Sequence, residues 1–325
     1  MMKLRVVIAT IFTLALMPLA SADTLELKFG HVGAPGSLFD LSANEFAKQA
    51  NEKLGGKAKV VVFGSSQLGS DKELLQKLKL GTVDFALPST VMSSVADEFG
   101  LFEMPYLVKN REHMARIESE VFWGKLAPAV ESKGYKIIGV WENGFRHITN
   151  NERPINVPAD LEGLKLRTPK GTWRVKMFQT YGANPTPMSF SEVFTALQTG
   201  TIDGQENPYA QIYSGKFHEA QKYLSITGHV YTPAYVTVGL EKWNSLPEDV
   251  RATLEQVAKD TQGFVYETAA RLEVDLLEKI KAAGVQVNEA DKDAFINASA
   301  SIYDEFNSSV PGGGDLITKA QSLAN

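Results

Sequence analysis

The chain runs to 325 residues with 33 basic and 38 acidic side chains, five histidines and no cysteine. That acidic balance excludes nucleic acid and anionic membrane as partners, and the missing cysteine excludes disulfides, thiolate nucleophiles and thiolate metal sites together. About 300 residues beyond the leader described next exceed what one core usually supports, so two lobes are expected.

Residues 1–22 read as a secretory signal peptide. Lys3 and Arg5 form a positive start, Val6 to Leu19 is an apolar stretch, and Ala20-Ser21-Ala22 offers small residues for cleavage. The stretch is too short and wrongly flanked to span a bilayer. No cysteine follows it for lipid attachment, so a soluble chain without membrane insertion is expected from Asp23. Without Lys3 and Arg5, 31 basic side chains face 38 acidic ones, a charge of −7.

Leu25, Leu27 and Phe29 alternate ahead of Gly30 and predict a strand, as does the β-branched run Lys59 to Phe63 before Gly64-Ser65-Ser66. Residues 70–85 (SDKELLQKLKLGTVDF) and 189–204 (SFSEVFTALQTGTIDG) then match at a fixed offset of 119. In each, Ser followed three residues later by Glu is a capping box that opens a helix. Gly81 and Gly200 end the two helices, and a short apolar strand follows each. The chain is therefore two α/β halves built alike.

Tyr135 to Trp141 and Leu164 to Arg167 predict further strands. In open α/β sheets a ligand sits beyond the carboxyl ends of the strands. Those ends carry His31, Ser65, Ser66, Ser89, Asn143, Arg146, Arg167 and Asn207. From Pro247 to Ala283 one apolar stripe runs with no internal proline, and it predicts a helix of about 55 Å, long enough to lie beneath both lobes. Gly263 is the alternative break, although one glycine costs a helix only about 1 kcal/mol. Gly312-Gly313-Gly314 reads as a flexible turn, and residues 311–325 as a tail.

No constellation for catalysis is present. The chain lacks HExxH, G-x-S-x-G, a P-loop and G-x-G-x-x-G, and its histidines at 31, 113, 147, 218 and 229 show no metal-ligand spacing. No cofactor is implied. Asp203 and Glu206 could pose as a carboxylate pair, the one opening for a periplasmic enzyme, but that spacing in a loop reads as capping or turn residues. Binding has a better candidate. Leu164 to Pro169 is a strand delivering Arg167 at its carboxyl end, where a guanidinium can grip a carboxylate with two hydrogen bonds.

Several separated motifs point the same way: Ser66-Gln67-Leu68-Gly69, Leu80-Gly81-Thr82-Val83-Asp84, Asn143-Gly144-Phe145-Arg146, Leu166-Arg167-Thr168-Pro169, Gly182 to Phe190, Ala196 to Gly200 and Asp203 to Pro208. Together, from Leu25 to Leu316, the chain closely resembles the solute-binding proteins of TRAP (tripartite ATP-independent periplasmic) transporters, the DctP-type family. The resemblance implies an α/β fold of two lobes with a hinge and a long helix spanning both, closing on a ligand. Lobe I would hold residues 23–143, completed by about 234–265, and lobe II residues 144–233, completed by about 266–310.

By the same resemblance Arg167 pairs with the ligand carboxylate, Arg146 adds a second cationic contact, and Asn207 hydrogen-bonds that carboxylate or orients Arg167. The first lobe is expected to close through His31, Ser65, Ser66, Gln67 and Ser89. Trp173, Phe190 and Tyr231, with Tyr209 and Tyr235, are candidates for an aromatic wall, Trp173 foremost. The family's sialic-acid binders carry glutamate where this chain has Ser89 and asparagine where it has Val32, which argues against sialic acid. The expected ligand is a small organic acid: a C4-dicarboxylate, hydroxy or keto acid, uronate or aromatic acid. The expected partners are the small and large TRAP membrane subunits, with the protein a periplasmic monomer. A binding protein serving another importer or a chemosensory system is the alternative.

Overall fold

The structure, a computed structural model, describes residues 24–324, so the signal-peptide reading of residues 1–22 lies outside the described residues. No helix among the described residues is long and apolar enough to cross a membrane.

The chain begins with β1 (Leu25–Gly30), α1 (Leu38–Leu54) and β2 (Ala58–Phe63), and β1 and β2 pair in parallel. Next come α2 (Asp71–Lys79), β3 (Phe85–Ala86) and two 3-10 segments, Thr90–Ser94 and Asp97–Glu103. Helices α3 (Arg111–Ile117) and α4 (Ala127–Glu131) flank a wider π-helical stretch, Glu118–Leu126, and lead into β4 (Tyr135–Phe145). After β5 (His147–Asn150) the order is β6 (Lys165–Thr168), α5 (Thr172–Thr180), β7 (Asn184–Pro187), α6 (Phe190–Gln198), β8 (Gly204–Asn207), α7 (Tyr209–Ser214) and β9 (Tyr223–Ile226). The chain then returns through β10 (Tyr231–Gly239), α8 (Leu240–Ser245) and α9 (Glu248–Ala282). It ends with β11 (Gln286–Glu289), α10 (Lys292–Ala298), α11 (Ala300–Ser309) and α12 (Gly313–Ser322).

Two sheets result, β2-β1-β3-β10-β4 and β11-β9-β5-β8-β6-β7. The chain crosses between them at Arg146, the single residue separating β4 from β5, and again between Ile226 and Tyr231. Apolar side chains drive each sheet together. In the first, Phe29, Phe46, Phe85 and Trp141 are fully buried, with Phe29 and Phe46 edge to face at 5.6 Å.

The repeated segments fold alike. α2 and α6 each hold nine residues, each opens with the Ser–Glu capping box, and Gly81 and Gly200 follow at φ 66° and 69°, a backbone that favours glycine. Ser70 N–H donates to Glu73 at 2.8 Å and Ser189 N–H to Glu192 at 2.9 Å. Beyond each helix an aspartate ties the next strand back: Asp84 accepts from Lys28 N–H and Asp203 from Lys165 N–H, both at 2.8 Å. Asp203 is thus a strand tether and not half of a carboxylate pair.

Helix α9 is continuous for 35 residues, about 52 Å at 1.5 Å per residue, and passes Gly263 without a break. It packs on α1 and β4 of the first lobe and on α7 of the second, as the apolar stripe requires. The C-terminus differs from expectation. Instead of a flexible turn and tail, Gly312 at φ 73° precedes α12, which buries Leu316, Ile317 and Ala320 and packs against Asp97–Glu103 and the π-helical stretch. The apolar spacing of Leu316, Ile317 and Ala320 gives this segment a face to bury. Gly313 also lies so close to Phe306 that a Cβ would clash with its carbonyl.

Candidate functional site

A cavity opens between the two sheets, where the chain crossings and the N-termini of α2 and α6 converge. It encloses about 600 Å3 of atom-free space, part of it continuous with solvent. The first lobe lines it with Val32, Phe39, Ser70, Asp71, Lys72, Ser89, Thr90, Val91 and Asn143. The second contributes Arg146, Arg167, Pro169, Lys170, Met188, Ser189, Phe190, Asn207 and Gln211. The capping boxes thus do a second job. Because Ser70-Asp71 and Ser189-Phe190 begin helices at equivalent points of the repeat, two positive helix ends face one space, an arrangement that favours an anion.

Arg167 is delivered by β6, is 3% exposed, and donates from Nε and Nη2 to the Met188 carbonyl at 3.1 and 2.8 Å. Its Nη1 meets no protein acceptor, and no carboxylate among the described residues is close enough to pair with it. Burial lowers its pKa to about 10, and the neighbouring Arg146 adds to the drop, yet it remains a cation at neutral pH.

Arg146, at the first crossing, has its charge answered within the protein. Its Nε and Nη2 donate to the Glu206 carboxylate at 2.5 and 2.9 Å, and Nη2 also reaches Asn207 Oδ1 at 3.0 Å. Arg174 Nη1 donates to the same Glu206 at 2.6 Å, and the imidazole of His229 lies 3.1 Å away. Burial would raise the Glu206 carboxyl, but Arg146 and Arg174 outweigh it and hold the group far below the carboxylate range. Burial holds His229 at about 4, so it is neutral and donates through Nε2. Across the lobes, Arg174 Nη2 lies 2.9 Å from Glu103 Oε2.

The structure brings five of the expected site residues to the cavity: Arg146, Arg167, Asn207, Phe190 and Ser89. Asn207 meets Arg146 and Gln205 there, with no hydrogen bond to Arg167. The other five lie elsewhere. Trp173 turns away to pack on Phe306 at 5.1 Å and against Gly100, whose lack of Cβ admits the ring. Tyr231 sits in β10 with its hydroxyl on Glu142 at 3.2 Å, part of the crossing and not of the wall. His31 is buried 4.0 Å from Asp40, and burial lowers it to about 4. Ser66 belongs to a tight turn with Ser65, both at positive φ, and Gln67 points to solvent.

Sequence reasoning missed Asp71, Gln211, Arg174 and Glu206. Asp71 stood at the position that the offset of 119 pairs with Phe190, and that repeat was the available signal. Glu206 was set aside as a turn residue, whereas it lies fully buried in β8.

Residues 29–309 match the DctP family, described as bacterial extracellular solute-binding protein, family 7. The 2,3-diketo-L-gulonate-binding periplasmic protein YiaO of Escherichia coli (strain K12) is 32% identical over 97% of this chain and 98% of its own. Among solved structures, a TRAP periplasmic solute-binding protein from Bordetella bronchispeptica, with density assigned as pantoate, superposes at a TM-score of 0.88. It is 35% identical and covers 92% of this chain and 99% of its own. Another, from Polaromonas sp. JS666 and bound to D-erythronate, gives 0.89 at 32% identity over 93% and 99%. The two-lobed fold, the cavity between the lobes and the matched length agree: the chain belongs to the DctP family of periplasmic solute-binding proteins that serve TRAP transporters, transport proteins and not enzymes.

Proposed function

We propose that this chain captures a small organic acid in the cavity between its lobes, with the acid's carboxylate held by Arg167. The observation that carries the reading is a charge imbalance. Arg146 and Arg174 share Glu206, whereas Arg167 is equally buried and has only a neutral carbonyl. A buried cation without a counter-charge is expensive, and an incoming carboxylate supplies one. A neutral analogue would leave Arg167 unpaired, so selectivity for acids follows.

Arg146 contributes a second, partly spent cation through its free Nη1, and Asn207 steadies Arg146 rather than Arg167. Phe190 and Met188 offer an apolar flank. Val32 and Ser89 both line the cavity, where the sialic-acid binders carry asparagine and glutamate, and a ligand other than sialic acid follows. Organic acids appear in the names of the matched relatives: diketogulonate, pantoate and erythronate. After removal of its leader the protein works in the periplasm as a monomer. The liganded form docks on the small and large membrane subunits.

A thermal-shift screen over organic acids tests this. An acid at 100 times its Kd should stabilise the wild type by about 2.7 kcal/mol. Arg167→Met should fold, since it removes an uncompensated buried charge, but should show no shift with the same acid. Wild-type affinity in that variant would overturn the assignment.

A further inference from the structure

The walls of the cavity are chemically unlike. The second lobe presents Arg146 and Arg167, whereas the first presents Asp71, whose carboxylate forms no ion pair among the described residues. Burial raises this carboxyl to about 6 against the pull of Arg167, so it is mostly ionised at neutral pH. Two further polar atoms on the lining have no partner among the described residues: Thr90 Oγ1 and Gln211 Oε1, in residues 6% and 3% exposed. Asp71 and Gln211 Oε1 are pure acceptors, and Thr90 can serve either way.

A ligand whose far end carries hydroxyl groups would supply the missing donors. A second carboxylate would instead place like charges together and leave both acceptors unmet. Lys72 and Lys170 line the same cavity and could in principle answer that second charge, but both are exposed, where water screens them. Their place suits attraction of an anion toward the opening, not selection within it.

We propose that Asp71 sets the ligand class of this site: it accepts a hydrogen bond from a ligand hydroxyl while Arg167 holds the carboxylate. The protein then takes short hydroxylated monocarboxylates and turns away dicarboxylates of equal length. The proposal rests on the grip by Arg167 argued above and adds the specificity of the opposite wall.

Titration calorimetry with three four-carbon acids tests it: erythronate, the dicarboxylate succinate, and butyrate, the last two without a hydroxyl. On wild type, erythronate should bind on the order of tenfold or more tighter than either of the others, the penalty expected when a buried polar site loses its partner. Asp71→Asn removes the charge and keeps the shape. It should narrow the erythronate-to-succinate ratio by roughly tenfold, with succinate gaining. Succinate binding wild type as tightly as erythronate, or a ratio unchanged in Asp71→Asn, overturns the proposal. So does failure of wild type to bind both erythronate and its longer homologue gluconate. Arg167→Met separates the two claims: affinity retained there with the ratio intact breaks the grip alone, and affinity lost there with the ratio unmoved by Asp71→Asn breaks the proposal for Asp71 alone.

Discussion

Glu206 holds two guanidinium groups at once, and its removal would strand both. Arg146 and Arg174 are buried at 1% and 0% exposure, so Glu206→Gln should destabilise the fold by about 3–5 kcal/mol in a urea or guanidinium titration. The pH dependence follows from the signs. The folded pKa of Glu206 is depressed, so its contribution is present above about 4.5, the unfolded value, and is lost as pH falls. Glu103 acts in the opposite sense. Burial raises it to about 7 despite Arg174, so between about 4.5 and about 7 its own contribution to stability falls as pH rises, against the buried neutral His31 and His229, whose contributions rise over the same range. Glu103→Gln removes that contribution, so its stability should rise more steeply with pH across the window than that of the wild type. A slope unchanged from wild type would contradict the raised pKa of Glu103. None of this was legible in the sequence. Residues 103, 146, 174 and 206 meet only through tertiary folding, and Glu206 read locally as a turn residue. Arg167 was legible because it stands at a strand's carboxyl end within Leu166-Arg167-Thr168-Pro169, one of the separated motifs that carry the family resemblance.

Among the elements, capping boxes and periodicity carried far. The helix expected over Pro247–Ala283 is α9, and both copies of the repeat fold as a helix, a glycine and a short strand. The strands expected from the sequence omit β10, an interior strand of the first sheet that runs antiparallel between β3 and β4. Its Pro233 argues against an interior strand. The structure accommodates that proline with a register shift between Thr232 and Pro233, a bulge that no local pattern announces. Glycines offer a test at this scale. Gly263 is exposed within α9 and a Cβ there meets nothing, so Gly263→Ala should stabilise by about 1 kcal/mol. Gly200 follows α6 at φ 69°, so Gly200→Ala should cost about 1 kcal/mol, although a Cβ there also has room. Melting temperatures that shift in the same direction would contradict this reading of the backbone.

For the whole molecule, the internal repeat implied two lobes, and the sheets are joined by two short crossings and one long helix. What the sequence concealed is the work done away from the cavity by side chains expected to line it. Trp173 packs with Gly100 and Phe306 where the lobes meet, and the ion pair between Glu103 and Arg174 reaches across the same junction. An aromatic side chain carries no local mark of whether it faces a ligand or another ring. The cavity itself is more charged than an aromatic wall would be, and Arg167, a buried cation with no carboxylate partner among the described residues, is the feature on which the proposed ligand capture depends. A crystal structure of the protein grown with erythronate tests that dependence most directly. The acid should lie between the lobes with its carboxylate hydrogen-bonded to Arg167 through Nη1. An acid bound with its carboxylate away from Arg167, and that guanidinium still served only by the Met188 carbonyl, would contradict the account.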